Sequence, residues 1–207
     1  MIEKEFSKNP VVAILRNIPS VDLTRLVRAI SGGGIKFIEI TMNSDNALSD
    51  INRLREEFLE TVYIGAGTVL SADLANEAIN AGAQFIVAPN TDEQVIDFCL
   101  SQRVMMLPGA MTPTEIHKGI RLGCSFIKVF PANCLGVEYF RQVMAPFDFA
   151  RLIAFGGITT ENAGSFVKNG AYGVGVGNNV CNVITNGKRD YAAIAKNAEK
   201  LVDICRK

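Results

Sequence analysis

Phe126-Ile127-Lys128-Val129-Phe130-Pro131 is the stretch of this sequence that most constrains both architecture and chemistry. Its β-branched and aromatic residues predict a short strand that is covered on both faces. Pro131 cannot continue the hydrogen-bond ladder of a sheet, so we expect the strand to end there. Lys128 then lies near the carboxyl end of a buried strand, where burial disfavours its charged form and leaves a nucleophilic amine. The alternative is a structural lysine that is paired with a buried carboxylate.

Short apolar runs followed by helical segments recur on both sides of this stretch. Eight runs predict strands, which begin at Val11, Phe37, Val62, Phe85, Val104, Phe126, Arg151 and Tyr172. A helix is predicted after each strand, and residues 1–9 are predicted to form a short amphipathic helix or arm. Strict alternation of strand and helix is typical of a parallel sheet. Eight such units predict one compact α/β domain over residues 1–207, a (β/α)₈ TIM barrel, with an open doubly wound sheet as the alternative.

The composition favours a globular protein and disfavours several classes of partner. Of the 207 residues, 48% are hydrophobic and 20% are charged. The 21 Lys and Arg residues equal the 21 Asp and Glu residues, which gives no electrostatic basis for binding nucleic acid or an anionic membrane. No apolar run has the length of a membrane span, the N-terminal residues lack a signal-peptide core, and the five cysteines are scattered. We therefore expect a cytoplasmic protein with no nucleic-acid or membrane partner.

Polar residues gather where the predicted strands end, which is the face on which a TIM barrel builds its active site. Glu39 lies between Ile38 and Ile40 in the second strand, and a buried carboxylate needs a partner or a raised pKa. Glu39 and Lys128 together favour catalysis over the alternative of a simple buried ion pair. Arg16, after the first strand, suits an anionic substrate group, although it could be an exposed loop cation.

The glycine-rich ends of the last two strands predict a phosphate site. Gly156-Gly157 follows the seventh strand, and Gly173-x-Gly175-x-Gly177 runs through the eighth. In barrels these two loops often bind phosphate through backbone N–H groups, and the alternative is tight packing at the strand ends. The only histidine, His117, is predicted on a helix away from this face. We therefore expect no metal and no cofactor.

Five segments, in this order, resemble the KDPG/KHG aldolase family, the class I 2-keto-3-deoxy-(6-phospho)gluconate and 4-hydroxy-2-oxoglutarate aldolases. They are Ile38-Glu-Ile-Thr-Met-Asn-Ser44, Ile64-Gly-Ala-Gly-Thr-Val-Leu70, Leu107-Pro-Gly109, Phe126-Ile-Lys-Val-Phe-Pro-Ala132 and Gly156-Gly-Ile158. The resemblance implies a homotrimeric TIM barrel that cleaves a keto acid to pyruvate and an aldehyde. It implies Lys128 as the Schiff-base lysine, Glu39 as the general acid and base, and Thr68 as a ligand of the substrate carboxylate.

The residues that the resemblance suggests for substrate binding also show departures from the family pattern. They are Arg16, Asn43, Thr68, Pro89, Phe155, Gly156, Gly157, Gly177 and Asn178. The gluconate enzymes usually have arginine at the position of Asn43 and threonine at that of Phe155. The segments around Arg16 and Asn43 look more like the phosphogalactonate branch, which usually has serine at the position of Asn178. A shorter or unphosphorylated substrate is therefore an alternative.

Two other functional classes are compatible with the sequence. One is a phosphate-binding barrel isomerase or epimerase that acts without an imine, and the other is a sugar-phosphate-binding protein without catalytic activity. Covalent capture of a keto acid on Lys128 would separate the aldolase from both.

Overall fold

The computed structural model describes residues 2–59 and 61–206, which form a barrel of parallel strands surrounded by helices. The helices are α1 Ile2–Lys8, α2 Ser20–Gly32, α3 Ala47–Glu57, α4 Ala72–Asn80, α5 Glu93–Ser101, α6 Pro113–Arg121, α7 Ala132–Met144, α8 Ala163–Lys168, α9 Asn178–Cys181 and α10 Tyr191–Cys205. The strands are β1 Val11–Leu15, β2 Phe37–Thr41, β3 Tyr63–Gly67, β4 Phe85–Val87, β5 Met105–Leu107, β6 Gly109–Ala110, β7 Ile127–Val129, β8 Leu152–Phe155, β9 Gly173–Val176, β10 Ile184–Thr185 and β11 Lys188–Arg189. The predicted (β/α)₈ barrel is confirmed.

The barrel closes because its two terminal strands are parts of one extended segment. The hydrogen-bonded order is β5-β4-β3-β2-β1-β9-β8-β7-β6. Pro108 alone separates β5 from β6, and it lacks the N–H that would continue the ladder. Before this proline the segment pairs with β4, and after it Gly109 pairs with Lys128 of β7. The predicted fifth strand corresponds to β5, β6 continues the same segment beyond Pro108, and the open-sheet alternative is wrong.

Helix α1 covers the amino-terminal end of the barrel. Phe6 is fully buried there, and its ring meets those of Phe37 and Phe126 edge-on at 4.8 Å between centroids. These rings belong to an interior cluster with Phe85 and Phe155, which is separate from the larger apolar layer between strands and helices. The lower barrel is thus filled by side chains, so a ligand can enter only at the carboxyl ends of the strands.

Two helix starts follow local capping signals, and the start of α2 does not. Ser71 caps α4, and Thr112 with Glu115 forms a capping box at the start of α6. Ser20 has a side chain typical of a helix cap, but it is the first residue of α2, and Pro19 precedes it at the cap position. Its hydroxyl donates a hydrogen bond to Asp50 on α3. None of the helices among residues 2–59 and 61–206 is long and apolar enough to span a membrane.

Candidate active site

Lys128 and Glu39 face each other across the interior of the barrel. Lys128 is on β7 and Glu39 on β2, so four strand-to-strand steps separate them in either direction around the barrel when β5 and β6 are taken as one. Both side chains are buried, at 7% and 1% exposure. Alternation along each strand gives Lys128 the same orientation as Phe126, and Glu39 the same orientation as Phe37, in the interior cluster.

A cavity of about 410 Å³ lies between these two side chains and opens at the carboxyl ends of the strands. Its lining residues are Ile14, Arg16, Glu39, Thr68, Pro89, Lys128, Phe130, Phe155, Gly156, Gly157, Ile158, Gly175, Gly177, Asn178 and Asn179. Ten of the eleven predicted site residues are in this list, and Asn43 is the exception. The cavity therefore brings residues from seven strand ends to one place, although their roles in binding and catalysis remain predictions.

The Glu39 carboxyl group is held in an environment that favours its neutral form. Burial raises its pKa from 4.5 to about 7, and the positive charges of Lys128 and Arg16 only partly oppose this rise. Its Oε2 atom is buried without a hydrogen-bond partner among the described residues. Among the residues that the structure describes, Glu39 and Lys128 do not form an ion pair within 4.0 Å. The alternative of a simple buried ion pair therefore does not describe these two residues. An acid with a pKa near neutrality is suited to both giving and taking a proton.

Gly67 leaves the space that the Glu39 side chain occupies. A Cβ atom at position 67 would lie 2.3 Å from Oε1 and 2.7 Å from Cδ of Glu39. Only glycine therefore allows the carboxyl group its present position beside β3. Gly67 belongs to the Gly65-Ala-Gly-Thr68 segment, but spacing along the chain does not reveal that it lies beside Glu39.

Burial also shifts the protonation of Lys128 toward the neutral amine. Desolvation lowers the pKa of the ammonium group below 10.5, Arg16 lowers it further, and the Glu39 carboxylate opposes both effects. The backbone N–H of Lys128 donates to the carbonyl of Pro108, which fixes β7 against the β5–β6 segment. A neutral amine is the form of lysine that attacks a carbonyl carbon.

Arg16 is the other cation in the cavity lining, and two polar side chains orient it. Its guanidinium donates to Thr68 Oγ1 at 3.2 Å and to Asn43 Oδ1 at 3.3 Å. Asn43 therefore reaches the site through Arg16 rather than by lining the cavity. Thr68 has a φ of 58°, an unusual conformation for a β-branched residue and one that is concentrated at functional sites. An anion at this position would meet the guanidinium and a hydroxyl group.

The two glycine-rich segments contribute to the cavity in different ways. Gly156 and Gly157 have φ values of 96° and 69°, so the turn after β8 requires glycine. A Cβ at Gly173 would overlap Pro10, and one at Gly175 would overlap the ring of Phe155, so packing explains these two glycines. Gly177 has open space at the Cβ position and lies in the cavity wall. Gly173, Gly175 and Gly177 were all predicted to bind phosphate. Of these three, Gly177 alone has no packing explanation, so the phosphate prediction stands for Gly177.

His117 lies where the sequence predicts it, on α6 and away from the strand ends. It lines a separate surface cavity of about 550 Å³ between helices, beside the Lys118–Glu93 ion pair. No cluster of three or more His, Cys, Asp or Glu side chains that could hold a metal ion occurs among residues 2–59 and 61–206.

Four lining residues were not predicted at the site: Ile14, Phe130, Ile158 and Asn179; a fifth, Gly175, was predicted only as part of the glycine-rich phosphate segment. The alternation of side chains along a strand could have identified Phe130, which follows Lys128 by two positions. It could also have identified Ile14, which follows the interior residue Val12 by two positions. Asn179 lies in the four-residue helix α9, for which the sequence analysis predicted no helix.

Comparisons with known proteins identify similar sequences and a similar structure. The family model for KDPG and KHG aldolase matches residues 2–197. A 2-dehydro-3-deoxy-phosphogluconate aldolase of Treponema pallidum (strain Nichols) is 37% identical over 160 residues, which are 74% of this chain and 76% of that protein. A 2-dehydro-3-deoxy-6-phosphogalactonate aldolase of Escherichia coli (strain K12) is 31% identical over 176 residues, which are 84% of this chain and 85% of that protein.

A solved structure described as native KDPGal extends the match to three dimensions. It superposes with a TM-score of 0.87 at 28% identity and covers 95% of this chain and 94% of that chain. The similarity in fold therefore extends over nearly the whole chain.

Proposed function

The chain belongs to the KDPG and KHG aldolase family, and from this premise we propose that it is a class I aldolase. Its proposed substrate is a 2-keto-3-deoxy-6-phospho sugar acid or 4-hydroxy-2-oxoglutarate, which it cleaves to pyruvate and an aldehyde. The observation that carries the proposal is the buried Lys128, with a lowered pKa, facing the buried Glu39 across one cavity. The two relatives act, by their names, on the gluconate and galactonate acids, so both substrates remain candidates.

The first half of the reaction forms an imine. The neutral amine of Lys128 attacks C2 of the keto acid, and one amine proton moves to the former carbonyl oxygen. Protonated Glu39 then gives its proton to this hydroxyl group, directly or through one water, and the oxygen leaves as water. The products are a positively charged iminium and a negatively charged Glu39 carboxylate, so the net charge of the site is unchanged.

The second half breaks the carbon–carbon bond. The Glu39 carboxylate takes the proton of the C4 hydroxyl, and the electrons of the C3–C4 bond flow into the iminium to give a neutral enamine. The aldehyde leaves, and protonation at C3 followed by hydrolysis releases pyruvate and the free lysine. Arg16 and Thr68 would hold the substrate carboxylate, and the walls formed by Gly157, Gly177 and Asn178 would hold the distal end of the substrate.

Borohydride reduction in the presence of pyruvate tests this proposal directly. We expect the mass of the protein to increase by one reduced pyruvate unit, with the modification on Lys128 in peptide mass spectrometry. A control without borohydride should show no stable adduct, because the imine hydrolyses. A folded protein that forms no adduct with pyruvate would contradict the class I mechanism and favour an isomerase or a binding protein.

We further propose that the protein is a cytoplasmic homotrimer. The family resemblance supports this assembly, and so do exposed apolar side chains on loops at the carboxyl ends of the strands. Leu70, Met111 and Phe130 are 54%, 48% and 40% exposed in the single chain. Sedimentation equilibrium should give three times the 22.4 kDa mass of the chain, and a monomer mass would contradict the assembly.

A further inference from the structure

The nitrogen atom of Lys128 lies over two aromatic rings. Nζ is 4.9 Å from the ring centroid of Phe155 and 5.0 Å from that of Phe130. A cation within about 6 Å of a ring face is attracted by the negative face of the ring. Phe155 ends β8 and Phe130 follows β7, so the two rings come from neighbouring strands. Both rings therefore contact the atom that becomes part of the imine.

The position of Phe155 depends on a missing side chain on the next strand. Phe155 is paired with Gly175 in the β8–β9 register. A Cβ on Gly175 would lie 2.3 Å from Cε1 of the Phe155 ring, so the ring fills the space above this glycine. Phe155 is 1% exposed, and the attraction between a ring and a cation is strongest where water is excluded. Packing alone would place an apolar residue here, but it would not require an aromatic ring at the lysine nitrogen.

The charge on Nζ changes during the proposed reaction, and the rings respond only to its charged forms. The attacking amine is neutral, the iminium carries one positive charge, and the enamine is neutral again. A ring quadrupole lowers the free energy of the iminium relative to the neutral amine and the carbinolamine. The ring quadrupole also stabilises the protonated free lysine. Its effect on the equilibrium for imine formation therefore appears only at pH values at which the free lysine has lost its proton.

We propose that Phe155 and Phe130 form an aromatic clamp that stabilises the iminium on Lys128, which makes Phe155 a catalytic residue rather than a packing residue. This inference rests on the proposed class I mechanism. The clamp favours the loss of water from the carbinolamine and raises the population of the electron-accepting form. Glu39 on β2 and Arg16 beyond β1 are the charged groups that face the same nitrogen, and the clamp acts beside both.

Fluorinated phenylalanines at position 155 test the clamp, because ring fluorines weaken the quadrupole while the shape of the ring changes little. Proteins carrying one, two or three ring fluorines at position 155 are titrated with pyruvate, reduced with borohydride and weighed by mass spectrometry. We expect the half-saturating pyruvate concentration to rise step by step with the number of fluorines, by about tenfold for three. The rise should grow as the pH is raised, because burial lowers the pKa of Lys128 and the free lysine loses its proton.

The same fluorine series at Phe85 is the matched control. Phe85 lies in the same interior cluster, but its ring packs edge-on against Phe37 at the lower end of the barrel. An unchanged half-saturating concentration across the Phe155 series, or equal changes in the two series, would overturn the clamp and leave the aldolase mechanism intact. A complete lack of adduct in the unmodified protein would overturn the proposed function and the clamp together.

Discussion

Lys128→Met is expected to lower the rate of aldol cleavage by roughly 10⁵-fold or more, because it removes the nucleophile on which the whole covalent pathway depends. Methionine has a similar length and suits an apolar site, so the barrel should keep its fold. The variant should also form no borohydride-stable adduct with pyruvate. Cleavage is measured as the release of pyruvate from each candidate keto acid, and adduct formation by mass spectrometry.

The stability of Lys128→Met separates loss of chemistry from loss of structure. Removing the lysine removes one charge that lowers the pKa of Glu39, so that carboxyl group stays protonated and leaves no unpaired buried charge at neutral pH. We therefore expect a melting temperature equal to or above that of the unchanged protein. Lys118→Met, at an exposed lysine on the outer side of α6, is the matched control and should keep full activity. Substantial activity in Lys128→Met would rule out Lys128 as the nucleophile.

The sequence was sufficient for the barrel because each strand is short, apolar and closed by a turn residue. The eight predicted strands are all present, and their first residues are displaced by at most one position. Lys128 and Glu39 were found for a related reason, since a charged residue in a strand buried on both faces is an exception that needs an explanation. The family resemblance then supplied the roles that composition and spacing could not supply.

The features that were missed depend on distances through space. Spacing along the chain does not reveal that Gly67 makes room for Glu39, or that Gly175 makes room for Phe155. The contact of Asn43 with Arg16 joins two different loops and is equally invisible in one dimension.

The hairpin β10–β11 is a different case, because the sequence did contain its signal. Asn186-Gly187 lies between the two strands, and both residues have positive φ, as a two-residue turn of this kind requires. This turn lies outside the alternation of strands and helices that predicts the barrel.

Glu39→Gln is expected to slow cleavage by about 10²–10⁴-fold, because an amide can neither give nor take the protons of the dehydration and cleavage steps. Lys128 remains, so pyruvate should still form an adduct, but more slowly. The reaction needs Glu39 first as an acid and then as a carboxylate, so the rate of the unchanged protein should depend on a group with a pKa near its value of about 7. This dependence should be absent in Glu39→Gln, and its persistence would assign the proton transfers to another group.

Glu39→Gln should lose activity, but it should keep stability that the unchanged protein loses as the pH rises. The pKa of Glu39 rises from 4.5 to about 7 on folding, so the folded protein keeps a proton that the unfolded chain releases within this interval. The free energy of unfolding therefore falls as the pH rises from about 4.5 to about 7, by about 3 kcal/mol, and glutamine has no such loss.

Chemical denaturation at several pH values measures the difference in the free energy of unfolding between the unchanged protein and Glu39→Gln. Because both proteins retain Lys128, this difference reports mainly the contribution of the Glu39 carboxyl group. Glu138→Gln is the control, because Arg141 lowers the pKa of this exposed carboxyl group to about 2. Its effect on the pH dependence of stability should therefore lie below the interval from about pH 4.5 to about pH 7. A difference between Glu39→Gln and the unchanged protein that stays constant across the interval would mean that Glu39 is already ionised in the folded state. The carboxylate could then act only as a base, and another group would have to provide the proton for dehydration.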